Sequence, residues 1–222
     1  MTVEMSASVS RHDIAAAARH LGDARELVVL TGAGISTESG IPDFRSPGGI
    51  WSRYDPNEFT FQRFCASAET RRRYWELGAS LYPLLCAAEP NPAHRALVAL
   101  ERRGGLRRII TQNIDGLHQR AGTSAEKVIE IHGTALEVVC LGCGKRRDRD
   151  GVQARVAAGE TDPRCECGGL LKPATISFGQ AMPERETSMA LADAAEADVF
   201  LVVGSSLVVY PAASLPGVAL EN

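Results

Sequence analysis

The chain has 222 residues, a formal net charge of −3 at pH 7, and 45% hydrophobic and 23% charged residues. This composition indicates one ordinary core, or a main domain with a small satellite, and it excludes a disordered or fibrous chain. The slightly acidic balance gives no global reason to bind nucleic acid.

The first ten residues lack the basic start and continuous apolar stretch of a secretory signal, and no apolar run is long enough to span a bilayer. We therefore expect a cytoplasmic protein without membrane contact. Cytoplasmic thiols stay reduced, so the isolated Cys65 and Cys86 are predicted to be buried small hydrophobic residues. The three arginines at 71–73 are predicted to lie on a solvated helix face.

Alternating helices and buried strands are predicted along much of the chain. Apolar residues at helical spacing predict a helix over residues 11–21, and a short apolar run at 27–30 predicts a buried strand. Further buried strands are predicted at 106–110, 128–131 and 199–203, and a further helix at 92–102. This alternation indicates an α/β fold with a parallel sheet and helices on its faces.

Two stretches do not fit the alternation. Residues 46–95 are aromatic and arginine-rich, and residues 135–172 hold the close cysteine pairs. We expect these insertions to form a small second domain together. The predicted main domain then comprises residues 1–45, 96–134 and 173–222.

The first predicted strand runs into a glycine-rich turn that begins at Gly32. Glycines before a helix N-terminus let backbone N–H groups approach the pyrophosphate of a dinucleotide. The pattern alone is weak, because Thr37 occupies the third-glycine position and no acidic residue ends a second strand. An ordinary tight turn fits it equally well. The following run at 41–45, Ile-Pro-Asp-Phe-Arg, favours a nucleotide, with Arg45 as a surface ion-pair partner being the alternative.

Polar residues follow the strand at 106–110, in the run Thr-Gln-Asn-Ile-Asp at 111–115. Open α/β sheets bind ligands at the carboxyl ends of parallel strands. Asn113 and Asp115 point to the same side if the chain stays extended, and they could bind an amide or position a water. The alternative is that Asp115 caps the next helix.

His132 follows the strand at 128–131 and precedes Gly133. A neutral histidine is a competent base at neutral pH, since its unperturbed pKa is about 6.5. A lone histidine is nevertheless more often structural than catalytic. His118 is predicted to pack at the start of a helix, without a chemical role.

Four cysteines form two close pairs, Cys140 with Cys143 and Cys165 with Cys167. In a cytoplasmic protein such pairs indicate a metal site, with disulfides as the alternative. Four thiolates complete a tetrahedral shell and leave no position for a reactive water, so one structural Zn²⁺ is predicted. The second pair is Cys-x-Cys, which predicts a tighter loop than the usual Cys-x-x-Cys.

In their order along the chain, these motifs resemble the sirtuin family of NAD-dependent protein deacylases, and the resemblance covers residues 24–213. It implies a Rossmann-like NAD-binding domain with a small zinc-binding domain, NAD as co-substrate, and acyl-lysine proteins or peptides as substrates. His132 is implied as the base on a ribose hydroxyl, with Asn113 and Asp115 also in the catalytic site. The implied NAD contacts are Gly32, Ala33, Gly34, Ser36, Thr37, Ile41, Pro42, Asp43, Phe44, Arg45, Trp51, Gln112, Asn113, Ile114, Asp115, His132, Gly204, Ser205 and Ser206. The implied peptide contacts are Ile176, Ser177, Phe178, Gly179 and Gln180.

Three features depart from the pattern of that family. Gln180 replaces the more usual Glu, which affects expectations about substrate charge. The branch that favours acidic acyl groups carries Tyr-x-x-Arg in the helical insertion, whereas Tyr74 is followed here by Leu77, so we expect acetyl or another neutral acyl group. The chain stops at Asn222, before the strand expected near the adenosine ribose, so part of the cofactor site and a sheet edge are expected to be missing.

Two other functions are compatible with the sequence. An NAD-dependent mono-ADP-ribosyltransferase would share the cofactor site and differ in the nucleophile that it accepts. A non-catalytic NAD-binding or zinc-binding module would bind NAD without releasing nicotinamide. The protein substrates and the oligomeric state are not defined by the sequence.

Overall fold

The computed structural model of the protein describes residues 10–221. Residues 1–9, which the expectation about a secretory signal concerns, lie outside the described residues. Asn222 also lies outside them. The strands are β1 Leu27–Thr31, β2 Leu106–Thr111, β3 Val128–Glu130, β4 Gly133–Cys140, β5 Arg146–Asp148, β6 Leu171–Thr175 and β7 Val199–Val203. The helices are α1 Arg11–Asp23, α2 Phe61–Ala66, α3 Ala68–Ala87, α4 Pro92–Arg103, α5 Leu117–Ala121, α6 Arg149–Ala157, α7 Glu184–Ala195 and α8 Leu215–Leu220.

The main sheet has four parallel strands in the order β3-β2-β1-β7. All four strands were predicted from short apolar runs, and the structure confirms each of them to within one residue. Every residue of β1 is buried, as expected of a central strand that is covered on both faces. The carboxyl ends of β1, β2 and β7 consequently meet along one edge of the sheet.

Helices cover both faces of this sheet, as predicted. Successive side chains of a strand point to opposite faces. Val28 and Leu30 accordingly pack on the side of α7 and α8. Leu27 and Val29 pack on the other side, against Leu97 of α4. Among residues 10–221, no helix is both long and apolar enough to cross a membrane.

The insertions surround a second, antiparallel sheet with the strand order β5-β4-β6. Trp75 of α3 is almost fully buried against Val138 of β4 and Val152 of α6, so the helical insertion packs on the cysteine-containing insertion. β6 begins at Leu171 and belongs to this sheet, across the boundary predicted after residue 172. The domain boundaries themselves stay a prediction.

Two expectations about surface residues are wrong. Arg71 is only 6% exposed, because its guanidinium forms an ion pair with Asp162 at 2.8 Å and also donates to the carbonyl of Phe64. The solvated face therefore holds Arg72 and Arg73 but not Arg71.

The two lone cysteines, Cys65 and Cys86, are exposed rather than buried, since each lies on an outward side of its helix.

Candidate active site

A cleft of about 690 Å³ opens where β1, β2 and β7 end and extends to the small sheet. The sequence-predicted residues that line it are Gly32, Ala33, Gly34, Asp43, Phe44, Arg45, Trp51, Gln112, Asn113, Ile114, His132, Ile176, Ser177, Phe178, Gly179, Gln180, Gly204, Ser205 and Ser206. Those that do not line it are Ser36, Thr37, Ile41, Pro42 and Asp115. A recess of about 480 Å³ lies at the opposite ends of β1 and β2, where Arg107 and Glu26 already pair with each other.

The glycine-rich turn packs directly against the end of β7. Gly32 donates its N–H to the carbonyl of Val203 at 3.0 Å, and Gly34 donates to the carbonyl of Gly204 at 2.9 Å. A Cβ on Gly34 would lie 2.8 Å from the Cα of Gly204, so a side chain there would push the two segments apart. A 3₁₀ helix, Ala33–Ser39, follows in place of an ordinary α-helix start. The turn therefore presents the backbone of Gly32 and Gly34 to the cleft without side chains in the way.

Asn113 and Asp115 meet at one hydroxyl group. Asn113 Nδ2 donates to Ser36 Oγ at 3.0 Å, and Ser36 Oγ donates to Asp115 Oδ2 at 2.8 Å. The other oxygen of Asp115 accepts from the N–H of Leu117 at 2.9 Å. One carboxylate thus caps α5 and also supports Ser36 and Asn113. Asn113 lines the cleft, whereas Asp115 lies behind it.

His132 is held by the strand end beside it. Its Nδ1 lies 3.2 Å from the carbonyl oxygen of Gln112. Because a carbonyl only accepts, Nδ1 carries the proton and Nε2 keeps a free lone pair. Burial lowers the pKa of His132, and the bond to Gln112 opposes this effect. A neutral imidazole with a basic Nε2 therefore borders the cleft.

His118 differs from His132 in its position, which is away from the cleft. It lies at the start of α5, as predicted, and its Nε2 contacts Thr31 Oγ1 at 2.9 Å. Burial lowers the pKa of His118 to about 3, so this histidine is neutral at ordinary pH. It does not line the cleft, and its role is to pack the helix start.

Aromatic rings form one wall of the cleft. The ring centroids of Phe44 and Trp51 are 5.4 Å apart, and those of Trp51 and Phe178 are 6.2 Å apart. The wall links the glycine-rich segment to the segment that follows β6. Arg45 borders the cleft and forms no ion pair with a carboxylate within residues 10–221, so the alternative of a surface ion pair is not what the structure contains.

The four paired cysteines converge on one point beside the small sheet. All four sulfur atoms lie within 4.8 Å of one another, with Cys140 and Cys167 at 3.5 Å and Cys143 and Cys165 at 3.9 Å. A tetrahedral zinc with bonds of about 2.3 Å needs sulfur atoms roughly 3.8 Å apart. The short Cys-x-Cys loop therefore still places both of its thiols at distances that suit a shared zinc ion. None of the four cysteines lines the cleft, so the site fits a structural ion.

Comparison with known proteins identifies the family. The model of the Sir2 family, the sirtuins, matches residues 32–211. The chain belongs to this family. It is 49% identical to NAD-dependent protein deacetylase 2 of Streptomyces coelicolor over 88% of this chain and 82% of that relative. It is 44% identical to NAD-dependent protein deacylase 2 of Archaeoglobus fulgidus over 93% of this chain and 80% of that one.

Solved sirtuin structures share the fold of most of the chain. A Sir2 structure with a p53 peptide and NAD⁺ is 40% identical to it and covers 91% of this chain and 80% of its own, with a TM-score of 0.80. A Sir2 structure bound to a propionylated peptide is 36% identical and covers 94% of this chain and 82% of its own, with a TM-score of 0.83. The Rossmann-like architecture predicted for this sirtuin is therefore confirmed.

Sequence reasoning missed part of the lining of this sirtuin's cleft. Arg149, Ala135 and Pro173 line it, together with Tyr74 and Leu77, which the sequence analysis considered only for acyl preference. Tyr74 places its hydroxyl 3.1 Å from Thr175 Oγ1. No local motif marks Arg149, which lies between the cysteine pairs. Its position in the cleft depends on how α6 packs against α3, and no pattern within one segment carries that information.

Proposed function

We propose that this sirtuin is an NAD-dependent protein-lysine deacylase that releases nicotinamide and O-acyl-ADP-ribose. The observation that carries the proposal is His132, a neutral base oriented by the carbonyl of Gln112 at the centre of a cleft that also holds the bare glycine turn. Bound NAD would supply the ribose carbon that accepts the acyl oxygen. The names of the similar deacetylases and the deacylase support this chemistry.

The roles of individual residues follow from their positions. His132 Nε2 takes a proton from a ribose hydroxyl, and Asn113 holds the carboxamide of nicotinamide while Asp115 fixes Asn113 through Ser36. The backbone at Gly32 and Gly34 admits the pyrophosphate. Ser205 accepts from Gln112 Nε2 at 2.8 Å and borders the adenosine side with Ser206. Phe44 and its aromatic neighbours exclude water from the reacting carbon.

Substrates are acyl-lysine proteins and peptides, which bind along the segment 176–180. There an extended peptide adds as a strand, and main-chain hydrogen bonds give affinity that depends little on sequence. The zinc thiolates organise the small sheet and take no part in the chemistry. We place the protein in the cytoplasm, where thiols remain available for metal, and we assign it no nucleic-acid or membrane partner.

The substitution His132→Ala tests the proposal. Loss of a general base should lower kcat for NAD-dependent deacylation by about a hundredfold to ten-thousandfold, while zinc content and thermal stability stay close to those of the unaltered protein. His20→Ala, at an exposed position on α1, is the matched control and should leave turnover unchanged. Turnover retained in the His132 variant would reject His132 as the base.

Labelled NAD incubated with an acyl-peptide separates the competing functions. Free acyl-ADP-ribose together with the unmodified lysine peptide supports the deacylase. Label that becomes attached to protein would instead identify a mono-ADP-ribosyltransferase. NAD binding without nicotinamide release would identify a non-catalytic module.

A further inference from the structure

The cleft lining combines apolar side chains with a buried cation. The apolar residues include Leu77, Leu81, Leu85, Ala135 and Pro173, from α3 and the small sheet. Arg149, the first residue of α6, also lines the cleft. An acyl chain bound among these apolar side chains would therefore share the cleft with a guanidinium group.

The guanidinium of Arg149 is held firmly on three sides. Nη1 donates to the carbonyl of Ala135 at 3.2 Å, and Nε donates to Gln153 Oε1 at 3.2 Å. The group lies over the ring of Tyr82 at 4.5 Å from the centroid. Residue 78 is glycine, and a Cβ there would overlap Nη2 of Arg149. The position of the guanidinium is thus fixed by contacts that leave one nitrogen unused.

That nitrogen, Nη2, has no hydrogen-bond partner among residues 10–221. Arg149 is 4% exposed, yet Nη2 makes no hydrogen bond within the described residues. The side chain also forms no ion pair with a carboxylate anywhere between residues 10 and 221. An arginine side chain stays protonated in a protein, so Arg149 keeps its buried positive charge without a carboxylate partner among the described residues. Such burial is costly unless an anion completes the site.

A second buried basic side chain lies near Tyr74, which also lines the cleft. Lys172 of β6 is 0% exposed, and its Nζ donates to the carbonyls of Pro173 and Thr175 and lies 5.6 Å from the ring centroid of Tyr74. Like Arg149, it has no carboxylate partner in the described part of the chain. Lys172 does not itself line the cleft, and burial lowers its pKa, so Arg149 is the cation that lines the cleft without a carboxylate partner among residues 10–221.

We propose that the acyl pocket of this sirtuin accepts acyl groups that end in a carboxylate, and that Arg149 Nη2 is the donor that binds this carboxylate. The inference rests on the proposed deacylase function and names its substrate class. The sequence favoured a neutral acyl group because Leu77 stands where an arginine of α3 was sought. The structure supplies a guanidinium to the same pocket from α6, which the sequence pattern did not consider.

Matched acyl-peptides test the proposal on the unaltered protein. Peptides of identical sequence carry acetyl-lysine, butyryl-lysine or succinyl-lysine, and the last two have the same number of acyl carbons and differ by the carboxylate. The kcat/KM from nicotinamide release and peptide mass should be about tenfold to hundredfold higher for succinyl than for butyryl, the range expected of a charge-assisted hydrogen bond. An equal or lower value for succinyl would overturn the proposal.

Substitution of the arginine provides the second measurement. Arg149→Met keeps the length and apolar stem and should lower the succinyl-to-butyryl ratio of kcat/KM by about tenfold to hundredfold. Arg155→Met on the same helix does not touch the cleft and should leave the succinyl-to-butyryl ratio unchanged. Circular dichroism and the melting temperature of each variant report that the fold is intact.

The outcomes separate this inference from the proposed function. If acetyl and butyryl peptides are deacylated but the ratio for succinyl is the same with and without Arg149, the role of Arg149 is rejected and the deacylase stands. If no peptide releases nicotinamide from NAD, the deacylase itself is rejected and this inference falls with it.

Discussion

At the scale of single residues, the carbonyl of Gln112 determines how His132 can act. It accepts a hydrogen bond from Nδ1–H and so leaves Nε2 as the basic nitrogen of a ring that lines the cleft. Gln112 also donates its side-chain amide to Ser205 Oγ at 2.8 Å, which fixes the same residue to the end of β7. The proposed base is therefore oriented by a residue that is anchored to the glycine-rich side of the site.

The pH dependence of turnover should report this environment. His132 acts in its neutral form, which is lost as the pH falls through its pKa. Burial is the dominant influence and lowers that pKa, so kcat/KM should stay high down to a pH below the ordinary value of about 6.5. Initial rates between about pH 5 and pH 8, with circular dichroism to verify folding, give the midpoint. An acid limb with its midpoint above that ordinary value would contradict a buried, neutral base.

Individual residues show which parts of the site could be predicted from the sequence and which could not. The positions of His132 and Asn113 at strand ends could be predicted, because polar side chains after an apolar run mark the edge of a parallel sheet. Asp115 allowed two interpretations, and the structure contains the bond to the start of α5, while the other carboxylate oxygen contacts Ser36 and does not line the cleft. Arg71 and Arg149 were not recognised, since burial of an arginine depends on partners from distant segments.

At the scale of elements, the zinc cysteines join the strands of the small sheet. Cys140 ends β4, and Cys165 and Cys167 lie on the loop that leads into β6. Gly169 lies against Cys140, where a Cβ would approach the sulfur to 2.6 Å. This close approach allows the short Cys-x-Cys loop to complete the set. Removal of the ion should therefore loosen the sheet whose residues Ala135 and Pro173 line the cleft.

Loss of one thiolate should be measurable as loss of metal and of stability. Purified protein should hold about one zinc per chain, and Cys167→Ser should hold much less. We expect the free energy of unfolding to fall by at least about 3 kcal/mol, which corresponds to roughly 6–12 °C in Tm for a chain of this size. Cys86→Ser, at an exposed cysteine outside the cluster, is the control and should keep both values. Full zinc content after substitution of Cys167 would show that it is not a ligand.

Elements of the main sheet could be predicted because their apolar runs are local. β1, β2, β3 and β7 each appear in the sequence as a short buried segment between turns, and their parallel pairing follows from the intervening helices. The small sheet could not be derived in this way. β4 crosses from one predicted domain to the other, and β6 pairs with it in an antiparallel register that no single segment encodes.

At the scale of the whole molecule, the cleft is assembled from segments far apart in the chain. The glycine turn contacts the end of β7, Ser36 contacts Asn113 and Asp115, and the aromatic wall reaches Phe178. Each motif alone allowed an ordinary interpretation. Their convergence on one cleft explains why their order along the sequence was more informative than any of them singly.

Binding of NAD should therefore stabilise the molecule as a whole. A ligand at about a hundred times its Kd adds about 2.7 kcal/mol to the free energy of unfolding, which corresponds to a rise in Tm of roughly 5–10 °C here. Thermal melts at increasing NAD measure the shift. Gly34→Ala should abolish most of it, because the added Cβ would lie 2.8 Å from the Cα of Gly204 and displace the pyrophosphate turn.

The same melts address the proposed adenosine side of the cleft. Ser205 and Ser206 border that side, and a shift of the stated size would mean that these and the glycine turn suffice to hold NAD. A flat response over millimolar NAD would contradict NAD binding by this chain. The shift should also persist in His132→Ala, because that substitution removes the base and leaves the glycine turn and Asn113 in place, so binding and chemistry are measured separately.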